Sequence, residues 1–285
     1  MKLPFKIDLS GKIALVTGGG GVLCSEFAKA LAASGAKVAV CDLRADAAQK
    51  VVDEITKDGG TAIAVGANVL DKASLEAARE TILEKFGTVD ILLNGAGGNN
   101  PKGTTSKDTL DPEDLEGAAE GIKTFFDLDP AGIEFVFNLN FLGTLLPTQV
   151  FAKDMAKKGD AVILNVSSMN AFRPLTRIPA YSGAKAAVSN FTQWLAVHFA
   201  KVGFRVNAIA PGFFLTNQNH DLLINPDGSY TARSQKILAH TPMNRFGVTD
   251  DLIGTLLWLV DNNASGFVNG TVIPVDGGFA AYSGV

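Results

Sequence analysis

The stretch Ile13-Ala-Leu-Val-Thr17-Gly-Gly-Gly-Gly21, leading into Ser25-Glu-Phe-Ala-Lys-Ala-Leu-Ala32, decides the architecture. A short apolar run ends in glycines and gives way to a segment whose apolar residues recur at helical spacing, so it reads as strand, tight loop, helix. Further short apolar runs follow at 37–41, 62–65, 91–93, 161–166, 205–209 and 271–275. Each gap between them is long enough for at least one helix. The runs are continuously apolar rather than alternating, which is the pattern of parallel strands covered on both faces.

The predicted fold is therefore α/β: a single doubly wound Rossmann-type domain over residues 1–285, with a seven-stranded parallel sheet and helices on both faces. No repeat of fixed period, low-complexity segment or Pro/Ser/Gly linker divides the chain. Two long connections, near 98–132 and 213–247, break the rhythm with Thr, Asp, Pro and Gly clusters. Both leave the carboxyl ends of strands, where open α/β sheets bind ligands, and long connections there serve as lids or substrate walls.

Composition narrows the class of partner. The 285 residues are 47% apolar and 19% charged, enough to bury a sizeable core. With 25 Lys plus Arg against 29 Asp plus Glu, a net charge of -4 and no polybasic run, neither nucleic acid nor an anionic membrane is the expected partner. No run approaches the length of apolar sequence that spans a bilayer, and the first apolar run is too short for a signal peptide; a cytoplasmic location is expected. Cys24 and Cys41 are too few for a disulfide framework or a four-cysteine zinc site, and read as small packing residues. His198, His220 and His240 lack metal-ligand spacing, so no metal is expected.

The glycine loop carries the first chemistry. Gly18, Gly20 and Gly21 allow the backbone to approach a pyrophosphate at a helix N-terminus. Asp42 closes the second strand, where a carboxylate accepts hydrogen bonds from adenosine ribose hydroxyls and repels a 2′-phosphate. NAD is thus expected over NADP, although Arg44 stands close by.

The ordered set Thr17-Gly18, Asn94-Gly-Ala-Gly97, Asn140, Ser168, Tyr181-Ser-Gly-Ala-Lys185 and Pro211-Gly212 with Thr216 resembles the short-chain dehydrogenase/reductase family over essentially the whole chain. The resemblance implies cofactor contacts from Gly18, Gly20, Gly21, Val22, Leu23, Asp42, Asn68, Val69, Asn94, Ala96, Gly97, Tyr181, Lys185, Pro211, Gly212, Phe214 and Thr216. It implies Ser168, Tyr181, Lys185 and Asn140 as the catalytic set, Asn140 holding a water that links Lys185 to bulk solvent. Two departures stand out. Val22 and Cys24 occupy positions where the family has glycine, and Gly95 stands where it often has a second asparagine.

Tyr181 and Lys185 are four apart and share a face if the Ala-rich stretch is helical. An ammonium so placed is expected to stabilise the phenolate and lower the tyrosine toward a useful acid–base range. Ser168, at the end of the fifth strand, could hydrogen-bond the reacting oxygen.

More narrowly, stretches such as Asn94-Gly-Ala-Gly-Gly-Asn-Asn-Pro-Lys102, Ser167-Ser-Met-Asn-Ala-Phe172 and Pro174-Leu-Thr-Arg-Ile-Pro-Ala-Tyr181 resemble the branch of the family that interconverts D-fructuronate and D-mannonate. A keto-hexuronate needs a cation for its carboxylate and amides for its hydroxyls. Asn99, Asn100 and Lys102 after the fourth strand, Asn170 and Arg173 after the fifth, and Gln218, Asn219 and Arg233 after the sixth are the candidates, Arg173 first for the carboxylate. A dehydrogenase of another sugar acid, polyol or ketone, and a dinucleotide sensor without catalysis, remain alternatives. The resemblance also implies a homotetramer or homodimer, with Trp194 on a helix at an interface.

Overall fold

A computed structural model describes residues 6–117, 119–216 and 219–284. From the amino end come β1 (Ile13–Thr17), α1 (Val22–Ala33), β2 (Lys37–Asp42), α2 (Ala45–Lys57), β3 (Thr61–Gly66), α3 (Lys72–Lys85) and β4 (Ile91–Asn94). The second half holds α4 (Pro130–Phe137), α5 (Gly143–Lys158), β5 (Ala161–Val166), α6 (Pro179–His198), β6 (Phe204–Pro211), α7 (His220–Leu223), α8 (Ala232–Ala239), α9 (Asp250–Val260), α10 (Asn262–Ser265) and β7 (Val272–Val275). The strands form one parallel seven-stranded sheet, as the sequence predicts, and their order is β3-β2-β1-β4-β5-β6-β7. The order reverses between β1 and β4, which opens a crevice at their carboxyl ends.

Strand periodicity sorts the core into two layers. Ala14, Val16, Val38, Val40, Leu93 and Leu164 face α1, α2 and α9, packing on Phe27, Leu31, Val51, Leu252 and Leu256. Ile13, Leu15, Ala39, Leu92 and Ile163 face the other way, onto Leu75, Ile82, Phe151, Met155 and Leu195 of α3, α5 and α6. Both faces are buried, which is why the strands read as unbroken apolar runs. Helix α1 begins at Val22, three residues before the helical spacing became legible in the sequence, because Gly21 caps it in extended conformation.

A π-turn over Asn138–Leu142 joins α4 to α5, so Pro130–Lys158 is one continuous helix. Among the described residues it is the one helix long and apolar enough to cross a membrane, a length the sequence reading did not anticipate because Asn, Gly and Thr interrupt its apolar runs. Half of its most apolar window is buried within the fold. The two long connections become separate small structures. Among the described residues, 98–132 form three 3₁₀ turns before α4, and 213–247 carries α7 and α8 around a satellite core of Leu223, Ile237, Leu238 and Phe246.

Candidate active site

The crevice at the β1/β4 reversal is lined from both sides by close backbone approaches. Gly18 has φ +64, and a Cβ there would stand 2.9 Å from the Ala96 backbone, so the β1 and β4 loops meet at a point open to glycine alone. Thr17 fastens the two loops: its Oγ1 accepts the Gly95 and Ala96 N–H groups at 3.1 and 3.3 Å. Sequence reasoning used Thr17 only as a motif letter; its place at the end of β1, beside the loop after β4, was the available signal.

The N-terminal N–H groups of α1, from Val22, Leu23 and Cys24, have no intrahelical acceptor and are free for a pyrophosphate. Gly20 N–H donates to Asp42 Oδ2 at 3.0 Å and Arg44 N–H to Asp42 Oδ1 at 3.0 Å, leaving carboxylate lone pairs for ribose hydroxyls. A cleft of about 500 Å³ brings Gly20, Val22, Arg44 and Thr216 to a common wall. A dinucleotide therefore fits these residues: free amides for its phosphates and a carboxylate at the ribose end.

The Cys24 and Gly95 departures from the family pattern have a local explanation. Cys24 is buried, and a Cβ on Gly95 would lie inside the contact shell of Cys24 Sγ and 2.9 Å from Thr17 O. The thiol takes up the room that a side chain at position 95 would fill, so the two departures are one exchange of volume. Burial pushes the thiols of Cys24 and Cys41 up to about 12, which keeps both protonated and suits their expected packing role.

The expected catalytic set converges. A Cβ on Gly97 would touch Asn140 Oδ1 at 2.6 Å and Lys185 Nζ at 3.2 Å, which places all three at one point. Asn140 is fully buried; its Nδ2 donates to the Gly98 and Val136 carbonyls at 2.8 and 2.7 Å, and its Oδ1 accepts Gly98 N–H at 3.2 Å. Ser168 Oγ accepts Asn170 N–H at 3.2 Å, and its hydroxyl is close enough to Tyr181 to favour the phenolate.

The electrostatics correct one expectation. Lys185 was expected to lower the phenol, but desolvation raises Tyr181 above its usual value, with the neighbouring Ser168 hydroxyl opposing it in part. Lys185 Nζ donates to Val166 O at 2.7 Å and lies 5.7 Å from the Tyr181 ring centroid, over the ring, so one of its three N–H donors goes to the carbonyl. Burial pushes the lysine itself down to about 8.

Other expected contacts are redirected. The Asn94 side chain points into the interior, donating to Thr148 Oγ1 and Asn165 Oδ1, so only its main chain can serve the crevice. The Val69 and Phe214 side chains are core residues, Phe214 packing on Gly247, for the same consequence. Asn68 is exposed and uses Oδ1 to accept Leu70 N–H. Gly212 approaches Asp276 closely beneath β7, and Pro211 ends β6.

Of the substrate candidates, Asn100 caps a 3₁₀ turn through Lys102 N–H. Asn219 clamps its own loop, accepting Thr216 N–H and donating to Phe214 O, both at 2.8 Å. Asn219 is thus spent on backbone through both amide atoms, a correction to its expected role, whereas Asn100 commits its Oδ1 alone. Asn99 donates to Thr104 Oγ1 at 3.2 Å, and Lys102 pairs with Asp129 at 3.2 Å. Arg173 Nε donates to Ala280 O at 3.0 Å, leaving the ends of its guanidinium for a ligand. Arg233 is exposed on α8, and Gln218 lies outside the described residues. Asn170 is 4% exposed, and among the described residues its Oδ1 has no partner. A buried acceptor without a partner, two residues from Ser168, is an exception among buried polar groups.

Comparison with known proteins agrees with this geometry. A family model described as short chain dehydrogenase matches residues 12–226. The oxidoreductase UxuB of Bacillus subtilis (strain 168), itself uncharacterized, is 58% identical over 283 residues, 99% of this chain and 100% of that one. The 7alpha-hydroxysteroid dehydrogenase of Escherichia coli (strain K12) is 34% identical over 272 residues, 95% of each chain. A crystal structure from Haemophilus influenza with bound NAD, provisionally named a D-mannonate oxidoreductase, superposes with a TM-score of 0.94 at 58% identity, covering 100% of both chains.

Proposed function

This chain belongs to the short-chain dehydrogenase family, and within it we propose an NAD-dependent enzyme that interconverts D-fructuronate and D-mannonate. The observation that carries the chemistry is the convergence of Ser168, Tyr181, Lys185 and Asn140 beside the α1 amides and Asp42. The likeness to the NAD-bound D-mannonate oxidoreductase supports the cofactor and the substrate, together with two uncommitted groups suited to a sugar acid: the Arg173 guanidinium ends and Asn170 Oδ1.

NAD supplies or accepts the hydride when bound. The chain's own residues manage the oxygen and its proton. Tyr181, kept protonated by its raised pKa, donates its hydroxyl proton to the ketone oxygen as the carbon becomes an alcohol, and takes it back in the reverse direction. Ser168 accepts from Asn170 N–H, so its own hydrogen is free to orient the same oxygen. Two of the three Lys185 Nζ protons remain after the bond to Val166 O, and would be available to a bound cofactor and to the tyrosine side of the site. Asn140 holds the α4–α5 turn against Gly98 and so fixes the wall behind the lysine.

The lysine gives a pH prediction. Its ammonium is present below about 8 and lost above it, while Tyr181 stays protonated over that range, so reductive kcat/KM is expected to hold level up to about 8 and then to fall. A profile that stays level well beyond that point would remove the charged lysine from the mechanism. Stability of the unliganded protein runs the other way. A lysine lowered from 10.5 to about 8 binds fewer protons folded than unfolded between those values, so its burial cost is full below 8 and relieved as pH rises toward 10.5.

The direct test is NADH consumption with D-fructuronate, run beside NADPH and neutral keto-sugars. Turnover with NADH and fructuronate supports the proposal; turnover of other ketones alone overturns the substrate, and NADH binding without any turnover overturns the enzyme. Replacing Arg173 by Met is expected to lower kcat/KM for the carboxylated ketone by about 10- to 100-fold, the worth of a charged hydrogen bond. Neutral ketones should be little affected.

For assembly, we favour a homodimer or homotetramer. On α6, Trp194 and Val197 are 55% and 81% exposed, beside an apolar groove shared with α5, and a second copy of this chain would cover them.

A further inference from the structure

Asp108, in the connection after β4, is the point where three substrate-side segments meet. Its Oδ1 accepts Arg177 Nε at 2.8 Å and Thr176 Oγ1 at 3.1 Å, both from the loop that runs from Ser168 to Tyr181. Its Oδ2 accepts from Lys236 of α8. The same connection is pinned to that loop a second time, through Thr105 N–H to Arg177 O at 3.0 Å. Lys236 and Arg177 hold the Asp108 carboxyl well below the usual carboxylate range, so the junction stays ionised at any pH where the protein works.

Helices α7 and α8 depend on this junction more than their surroundings do. They pack on a satellite core of their own rather than on either layer of the sheet, and α7 has a single turn. Among the described residues, Lys236 to Asp108 is the hydrogen bond that carries α7 or α8 themselves to a segment outside 213–247; just past α8, His240 meets the Tyr282 ring and Met243 N–H donates to Gly277 O at 3.1 Å, which tie the far end of α8 but not its middle. A carboxylate shared by three cationic or hydroxyl donors is a network, where ion pairs at a surface hold segments together better than isolated pairs do.

We propose that Asp108 is a positioning residue for the substrate: it locks α8 onto the loop that carries Ser168 and leads into Tyr181, and so sets the roof under which a sugar acid binds. The inference rests on the substrate reading above. Asp108 does not touch the reacting atoms. It acts through Lys236 and Arg177, and the effect belongs to substrate affinity rather than to the chemical step.

Asp108→Asn keeps the size of the side chain and removes its charge. The expected result is a rise of about fivefold in KM for D-fructuronate, with kcat and NADH affinity within about twofold, as for loss of uniform binding. Lys236→Ala should do the same, and the double variant should fall well short of the sum, because both changes cut one link. Asp108→Glu, which restores the charge, should recover part of the loss. Amide hydrogen exchange of residues 232–239, measured without substrate, should rise about fivefold in Asp108→Asn while α1 is unchanged. If fructuronate proves not to be a substrate, exchange still reads the lock, so the two proposals fail separately. Unchanged exchange at α8 would overturn the lock; a lower KM in Asp108→Asn would overturn it too, by making the carboxylate a competitor of the substrate.

Discussion

Replacing Tyr181 by Phe is expected to lower ketone reduction by about 10²- to 10⁴-fold, the range of a positioned general acid, while NADH binding is retained. The phenyl ring fills the same space, so loss is confined to one hydroxyl. That hydroxyl lies by Ser168 and is held protonated by desolvation. The measurement is single-turnover reduction with NADH affinity read independently by fluorescence. Retained turnover would mean that the proton comes from elsewhere, and Lys185, with its pKa near 8, would then be the group to examine. Loss of NADH binding along with turnover would mean instead that Tyr181 shapes the cofactor site.

The second large effect is expected at Gly95. Gly95→Asn introduces a side chain whose Cβ already collides with Cys24 Sγ and presses on Thr17 O at 2.9 Å. Overpacking of this kind costs roughly 1–3 kcal/mol, and the backbone it displaces is the start of α1, whose free amides are the candidate phosphate site. The variant should melt earlier and lose most of the protection that NADH gives the wild type. Cys24→Gly alone should cost about 1 kcal/mol through helix propensity and a small void. Combined, the two should destabilise by less than their sum, because the thiol and the new side chain compete for one volume. Thermal melts of the four proteins with and without NADH decide it; simple additivity would show that the two positions do not share space.

How far the sequence carries this site is visible residue by residue. Strands such as β1 and β5 were legible because both faces of the sheet are covered, which writes them as unbroken apolar runs. The spacing of Tyr181 and Lys185 survives folding because a helix fixes which residues share a face. Where a side chain turns within a loop is a different matter. Asn219 and Asn100 have the amides a sugar would want, yet each closes a backbone turn on itself, a local competition that a pattern of residue types does not resolve. The lysine's bond to Val166 O depends on how α6 lies across β5, and the rise of the tyrosine depends on its burial, neither of which a spacing of four residues records. Asp108 carries no sequence signal beyond one carboxylate among neighbours of both signs; its partners lie 68 to 128 positions away.

The shared volume at Cys24 and Gly95 also constrains the order in which this loop can change over generations. While cysteine stands at 24, position 95 is closed to every residue that has a Cβ. A lineage moving toward the asparagine that its family often carries there must first surrender the thiol and persist with a void, and only then acquire the larger side chain. The opposite order passes through a protein that fails to hold its cofactor. The path between the two loop types is therefore directional, and the glycine-rich turn of this chain is more resistant to stepwise replacement than the permissiveness of glycine suggests.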